Sequence, residues 1–273
     1  MKGEILMNAM KVNTLRVPGA SIYYEVRGSG PLLLLISGGS GDANGLNNLC
    51  NNLVDKYTVV TYDRRGLTRS KIDDLSQELR VEMESDDVHC LLSELSTEPV
   101  YVVGSSIGAV IALDLATRYP TQVCRLVAHE PPAAYLNTRN ELPLSETIQE
   151  ILKREGENVA MKEFATRVGV NNYNLDVVKG TKAFNNVKFF IQKEAPMLNT
   201  YRFNFDALKV AMTKTSIIIG RGLTSPKDSV GYLGAVTVSE QMKTIIVDFP
   251  GDHAGMGRLP KEFAERLYDI IGD

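Results

Sequence analysis

The chain has 273 residues and a formal net charge of −3 at pH 7, a length that fits one α/β domain or one domain with an insertion. Its 30 Lys and Arg residues are scattered among 33 Asp and Glu residues, so the sequence offers no basic stripe for a nucleic acid. Apolar runs such as residues 32–36 are far too short to span a bilayer. We therefore expect neither a nucleic acid nor a membrane as a partner.

Two features favour a reducing, intracellular environment. Cys50, Cys90 and Cys124 have no metal-ligand spacing and form an odd set, which favours buried free thiols over a disulfide framework. Residues 1–12 mix charged residues with short apolar runs, unlike the uninterrupted apolar stretch of a secretory signal. The sequence thus predicts a cytoplasmic protein.

The first half of the chain alternates strand and helix patterns. Residues 14–17 and 21–26 predict a β-hairpin joined through Pro18-Gly19-Ala20. Short apolar runs predict parallel strands buried on both faces at residues 32–36, 57–62, 100–103 and 123–128. Helical patterns separate these strands at residues 46–54, 77–93 and 107–118. This alternation predicts an α/β fold.

The alternation stops after residue 128 and resumes with a predicted strand at residues 215–220. Amphipathic patterns around Ile148, Phe164 and Val187 predict a helical cap in the interval. A last strand and a closing helix follow at residues 243–247 and 260–271. The predicted domains are an α/β core of residues 1–130 and 214–273, interrupted by a helical cap of residues 131–213.

The sharpest motif is Gly104-Ser105-Ser106-Ile107-Gly108, a G-x-S-x-G pattern between a predicted strand and a predicted helix. A serine on so tight a turn has strained backbone geometry, and the flanking glycines avoid collisions with neighbouring backbone. The following helix directs amide hydrogens and the positive end of its dipole toward any negative charge that develops there. We predict that Ser106 is a nucleophile, whereas Ser105 occupies the variable position.

With this motif, the chain resembles the α/β-hydrolase superfamily over its whole core. Residues 32–41 resemble the family's strand and oxyanion loop, with Ser37 where many members carry histidine. Residues 62–70 resemble its D-x-R-G-x-G-x-S turn, with Thr68 replacing the second glycine, and the arginines of this turn are expected in structural ion pairs or on a solvated face. Residues 250–255 match the place of the family's histidine.

The resemblance implies a mostly parallel central sheet flanked by helices, with the cap inserted after the strand that ends near Ala128. It also implies an oxyanion hole built from the backbone N–H groups of Gly39 and Ile107. A phosphate-binding role of the loop is disfavoured, because a dinucleotide fingerprint that starts at Gly39 needs glycine where Asn44 stands.

Histidine is scarce, with three candidates for a general base. His89 lies in a predicted helix among acidic residues, which favours a surface or packing role. His129 ends a predicted strand, which favours a structural hydrogen-bonding role. His253 lies on the loop before the final helix, and we predict that it is the base.

The acid partner of His253 has three candidates. Most family members carry Asp in the loop after the strand that follows the cap, but residues 220–225 contain no carboxylate. Glu130 lies directly beyond the strand that precedes the cap, a position from which zearalenone lactonases draw a glutamate. We predict Glu130 as the acid, with Asp228 and Asp252 as alternatives; Asp252 is weaker because adjacent side chains in an extended loop point apart.

The expected activity is hydrolysis of an ester or lactone of a small, partly apolar substrate through an acyl-enzyme, without metal or cofactor. Thioester, carbon–carbon bond and peracid chemistry on the same residues are alternatives. A non-catalytic ligand-binding role is the alternative from another class, because the usual acid after Gly220 is missing. The side chains predicted to line an apolar pocket, or equally to pack in the core, are Phe189, Phe190, Met197 and Tyr201.

Overall fold

A computed structural model describes residues 10–133, 144–173 and 178–272, and within them the chain forms one nine-stranded mixed sheet flanked by helices. The strands are β1 (Lys11–Val17), β2 (Ala20–Gly28), β3 (Leu32–Ile36), β4 (Thr58–Tyr62), β5 (Lys71–Ile72), β6 (Val100–Ser105), β7 (Val123–His129), β8 (Ser216–Gly222) and β9 (Ile246–Phe249). Their spatial order is β1-β2-β4-β3-β6-β7-β8-β9, with β5 paired to β2. This architecture confirms the predicted α/β fold with a mostly parallel sheet.

The described helices lie between and after the strands. Before the cap interval they are α1 (Asn47–Asn51), preceded by a 3-10 turn at Ala43–Leu46, α2 (Val81–Leu95) and α3 (Ile107–Arg118). Between β7 and β8 they are α4 (Leu144–Glu155), α5 (Glu157–Val168), α6 (Lys182–Phe189), a π-helical segment (Phe190–Glu194), α7 (Ala195–Thr200) and α8 (Phe205–Ala211). The last three are α9 (Val230–Met242), α10 (Gly255–Arg258) and α11 (Pro260–Ile271).

The apolar runs of the sequence become strands that are buried on both faces. Along β3, Leu34 and Ile36 belong to one hydrophobic cluster, and Leu33 and Leu35 belong to the cluster on the opposite face. Successive side chains of a strand point to opposite faces, so a strand covered on both sides has no polar face. This explains why β3 is apolar throughout rather than alternating.

The parallel part of the sheet brings one set of strand ends together. Strands β4, β3, β6, β7, β8 and β9 are parallel, and the chain order reverses where β3 lies between β4 and β6. Open α/β sheets bind ligands at the carboxyl ends of the strands beside such a reversal. The register places Gly104 of β6 beside Ile36 of β3, and Ser105 beside His129 of β7. The loops that follow these strands therefore meet at one edge.

The predicted hairpin and closing helix are confirmed, but several elements differ from expectation, among them a helix, a strand and an unpredicted helix. The predicted helix at 77–93 begins only at Val81, and the last strand begins at Ile246 rather than at residue 243. Helix α9 was not predicted, because Gly231 and Gly234 lower its intrinsic helix propensity. The side chain of Ser229 caps α9 by accepting the N–H of Tyr232, and packing stabilises the rest.

The helices α4 to α8 fall inside the predicted cap interval, of which residues 134–143 and 174–177 lie outside the described part of the chain. The domain boundaries stay a prediction.

A buried ion pair joins this interval to the turn after β4. Arg64 donates to both carboxylate oxygens of Glu194, at 2.8 and 3.1 Å, and both side chains are fully buried. Arg65 likewise pairs with buried Asp87. The arginines of the turn are thus in structural ion pairs.

The cysteines are free thiols. Cys50 is buried, and Cys90 and Cys124 are half-buried. Burial raises the pKa of Cys50 to about 12, so this thiol stays protonated at neutral pH.

No described helix is both long and apolar enough to cross a bilayer. The cytoplasmic location stays a prediction.

Candidate active site

Ser106 occupies a strained turn between β6 and α3. Its backbone has φ 56° and ψ −124°, a conformation that residues other than glycine rarely adopt. A Cβ atom on Gly104 would lie 2.3 Å from the carbonyl oxygen of Gly108, and one on Gly108 would lie 2.5 Å from that of Ile36. Glycine is therefore required at both positions, because neighbouring backbone lies too close to leave room for a side chain. Their spacing around the serine explains the G-x-S-x-G pattern.

Ser106 and His253 line the same cavity. This cavity has a volume of about 420 Å³ and is also bordered by the glycine-rich loop of residues 38–42 after β3. Ser106 lines a second, smaller cavity as well, of about 30 Å³, together with Ile107 and residues of the cap interval. Ser106 thus borders two cavities, and His253 borders the larger of them.

The closest partner of His253 is Glu130, which lies directly after β7. The Nδ1 atom of His253 and Oε2 of Glu130 are 2.6 Å apart, and Glu130 is fully buried. The other carboxylate oxygen accepts the N–H of Gly222 at 2.9 Å. A carboxylate accepts only, so Nδ1 carries the hydrogen and Nε2 remains available as a proton acceptor.

The charge state of Glu130 follows from two opposing effects. Burial favours the neutral acid, but the hydrogen bond and charge of His253 outweigh it and lower the pKa of Glu130 below its usual value. Glu130 is therefore ionised at neutral pH. An ionised, buried carboxylate at this distance orients the imidazole and stabilises its protonated form.

The two alternative acids lie in other surroundings. Asp252 accepts the backbone N–H of Asn171 at 2.7 Å and that of Ala254 at 2.9 Å, so its carboxylate anchors the loop that carries His253. Asp228 is exposed on the connection between β8 and α9. Of the three predicted carboxylates, the structure brings Glu130 to the imidazole.

The predicted oxyanion donors come from two segments that border Ser106. Gly39 lines the larger cavity, and Ile107 is the first residue of α3, where backbone N–H groups have no acceptor within the helix. The carbonyl oxygen and hydroxyl of Ser37 accept from Arg64, at 2.6 and 3.0 Å, and this fixes the start of the loop. The role of these two amides as oxyanion donors stays a prediction.

Of the four predicted pocket residues, Phe190 lines the smaller cavity. The other three lie elsewhere: Phe189 packs against Gly66, Met197 is buried in the core, and the Tyr201 hydroxyl donates to Asp114 at 3.0 Å. Helical spacing in the sequence cannot separate a pocket wall from a packed core, since both need apolar side chains on one face. Sequence analysis missed the wall residues Leu144, Phe164, Val168, Leu198 and Val230.

Gly231 of α9 is a further site residue that the sequence analysis missed. A Cβ atom there would lie 2.4 Å from Nδ1 of His253 and 2.7 Å from Oε2 of Glu130. Only a residue without a side chain lets α9 pack against the hydrogen-bonded pair. The sequence does show a glycine within a helical stretch, and such a glycine usually allows another segment to pack closely against the helix.

His129 neighbours the site, and its carbonyl oxygen accepts the N–H of Ser106 at 2.9 Å. Its ring is fully buried between Phe249 and Phe263, at centroid distances of 5.7 and 5.4 Å. This burial lowers the pKa of His129 to about 4, so the imidazole is neutral in the folded protein at neutral pH. Neither ring nitrogen has a hydrogen-bond partner among the described residues, so the predicted hydrogen-bonding role of the side chain is wrong and the ring is a packing element.

The low pKa of His129 predicts a loss of stability in acid. The unfolded chain binds this proton below its ordinary pKa of about 6.5 and the folded chain only near 4, so the free energy of unfolding falls over that interval. In His129→Phe, the decrease between pH 7 and pH 4.5 is expected to be smaller by about 2 kcal/mol. Urea unfolding at both pH values measures this, and equal decreases in the two proteins would contradict it.

Known proteins are similar to this chain in sequence. The family model described as alpha/beta hydrolase fold matches residues 31–155. The uncharacterized hydrolase YraK of Bacillus subtilis (strain 168) is 40% identical over 259 residues, which cover 94% of this chain and 95% of that protein.

Two solved structures are similar over nearly the whole chain. Carboxylesterase CesB (YbfK) from Bacillus subtilis has a TM-score of 0.70 at 14% identity, covering 97% of this chain and 93% of that chain. An alpha/beta hydrolase from Sphaerobacter thermophilus DSM 20745 has a TM-score of 0.71 at 19% identity, covering 95% and 100%. At these identities, the similarity concerns the fold alone.

Proposed function

The chain belongs to the α/β-hydrolase superfamily, and from this premise we propose that it is a serine hydrolase that cleaves a carboxylic ester or lactone of a small, partly apolar substrate. One observation carries the proposal: the imidazole of His253, held at 2.6 Å by the buried carboxylate of Glu130, lines the same cavity as Ser106. Nucleophile, base and acid are thus three residues from three separate loops at one edge of the sheet.

Acylation begins when the Ser106 hydroxyl attacks the substrate carbonyl carbon and gives its proton to Nε2 of His253. Glu130 stabilises the resulting imidazolium, and the N–H groups of Gly39 and Ile107 stabilise the oxyanion. When the tetrahedral intermediate collapses, the bond to the leaving oxygen breaks, and that oxygen takes the proton from His253. The alcohol departs, and the acyl group remains on Ser106.

Deacylation repeats these steps with water as the nucleophile. Water gives one proton to His253 while its oxygen attacks the acyl carbon, and the second tetrahedral intermediate forms at the same oxyanion site. Collapse breaks the bond to Ser106 Oγ, which recovers a proton from His253. The carboxylic acid is released and the enzyme returns to its starting state.

A panel of four assays tests this function. Three measure the hydrolysis of p-nitrophenyl acetate, of a γ-lactone and of an acetyl thioester, and the fourth measures the formation of peracid from acetate and hydrogen peroxide. We expect turnover of the ester or the lactone with a kcat/KM at least about tenfold above that of the thioester. The proposal fails if neither the ester nor the lactone is hydrolysed above the background rate.

Gly231 gives a prediction that depends on the Glu130–His253 geometry. In Gly231→Ala the new methyl group displaces the pair, and a shift of about 1 Å in catalytic groups costs on the order of 10²-fold in rate. We therefore expect kcat for p-nitrophenyl acetate to decrease by about 10- to 100-fold. Thr237→Ala, on the same helix, is the matched control and is expected to change kcat less than about twofold. Equal kcat values in the two variants would contradict the prediction.

A further inference from the structure

The two cavities at Ser106 differ greatly in size. The larger has about 420 Å³ and the smaller about 30 Å³, and Ser106 lines both. Phe164 and Val168 of α5 also line both cavities, so these two side chains stand between them. An ester attacked at Ser106 consequently extends in two directions, with its acyl group and its alkoxy group in different cavities.

The position of His253 decides which group enters which cavity. The protonated imidazole must reach the leaving oxygen within hydrogen-bond distance. His253 lines the larger cavity, whereas the described wall of the smaller one consists of Ser106, Ile107 and residues from the cap interval and α9. The alkoxy group therefore occupies the larger cavity, and the acyl group occupies the smaller.

The walls of the smaller cavity define the acyl group that it accepts. Most of its wall is apolar, and of its polar side chains Asn199 donates a hydrogen bond of 2.6 Å to the hydroxyl of Ser145. The cavity's volume of about 30 Å³ is less than a tenth of that of the larger cavity, so it accepts only a short group. The apolar wall is formed mainly by Leu144, Phe164, Phe190, Ala195, Leu198 and Val230.

On the basis of the proposed serine hydrolase function, we propose that the substrate is an open-chain ester of a short apolar acyl group, about two to four carbons long, with a larger alcohol. The alcohol has space among Met161, Tyr173 and Met256 in the larger cavity. In a small lactone one ring joins the acyl and alkoxy groups, so the two groups cannot extend separately into the two cavities. An open-chain ester can place one group in each.

A series of p-nitrophenyl esters with the same leaving group tests the acyl preference. We expect kcat/KM to be highest for acetate or butyrate and at least about tenfold lower for octanoate. A value that increases up to octanoate overturns the inference but leaves the hydrolase function intact. Absence of hydrolysis of every ester, by contrast, rejects the proposed function itself.

Enlarging each cavity in turn identifies the one that holds the acyl group. Leu198→Ala removes a half-buried wall residue of the smaller cavity, and we expect the octanoate-to-acetate ratio of kcat/KM to increase by about tenfold. Met161→Ala enlarges only the larger cavity and serves as the matched control, with a ratio expected to stay within about twofold of wild type. Val230→Ala provides a second enlargement of the smaller cavity. The inference is wrong if only the Met161 variant gains activity on octanoate.

Discussion

Replacing Ser106 by alanine is expected to lower kcat for p-nitrophenyl acetate by about 10⁴- to 10⁶-fold while the protein remains folded. The change removes the only atom that forms the acyl bond, and it leaves the turn, the oxyanion amides and the Glu130–His253 pair in position. Residual hydrolysis would come from binding and the oxyanion site alone. Steady-state kinetics measures the loss, and thermal unfolding checks that the variant is folded.

The adjacent serine provides the control for this experiment. Ser105 is the last residue of β6 and is buried, and we expect Ser105→Ala to retain kcat within about tenfold of wild type. Loss of activity in the Ser105 variant with retention in the Ser106 variant would exchange their roles. The backbone argues for Ser106, since the strained conformation of φ 56° and ψ −124° belongs to that residue.

The second large effect is expected for Glu130→Gln, with a decrease in kcat of about 10³- to 10⁴-fold. The amide keeps the size of the side chain but brings no charge to stabilise the imidazolium. If its NH₂ group faces Nδ1, it also favours the wrong tautomer, in which Nδ1 lacks the hydrogen. Gly222 donates to the same side chain, which ties the orientation of the group to the backbone of β8.

The other two carboxylates are the controls for Glu130. Asp228 is exposed, so Asp228→Asn is expected to change kcat less than about twofold. Asp252→Asn weakens the anchoring of the His253 loop to Asn171, so a smaller loss of about tenfold is expected. A severe loss confined to the Asp228 variant would transfer the acid role to that residue.

The sequence predicted those parts of the site that depend on local backbone geometry. The glycines around Ser106 are required by contacts at one turn, and a short motif was sufficient to predict them. Glu130 was predicted from a resemblance, because it lies directly beyond the strand that precedes the cap, a position from which zearalenone lactonases draw a glutamate. The strand order alone did not select it over Asp228 and Asp252.

Contacts between distant segments could not be predicted. Gly231 lies about a hundred residues from Glu130 in the chain, and nothing local links its missing side chain to that carboxylate. Arg64 was expected in an ion pair or on a solvated face, but its partner Glu194 lies in a π-helical segment that the helical pattern does not specify. Phe190 and Tyr201 have similar apolar character, and only packing in three dimensions separates cavity wall from core.

Covalent labelling tests the central claim most directly. The protein is incubated with a fluorophosphonate, which reacts with an activated serine hydroxyl, and tryptic peptides are mapped by mass spectrometry. We predict one stoichiometric adduct on Ser106, with labelling at least about 10²-fold slower in His253→Gln. An unlabelled Ser106 in a protein that still hydrolyses the ester, or equal labelling rates in both proteins, would contradict the account.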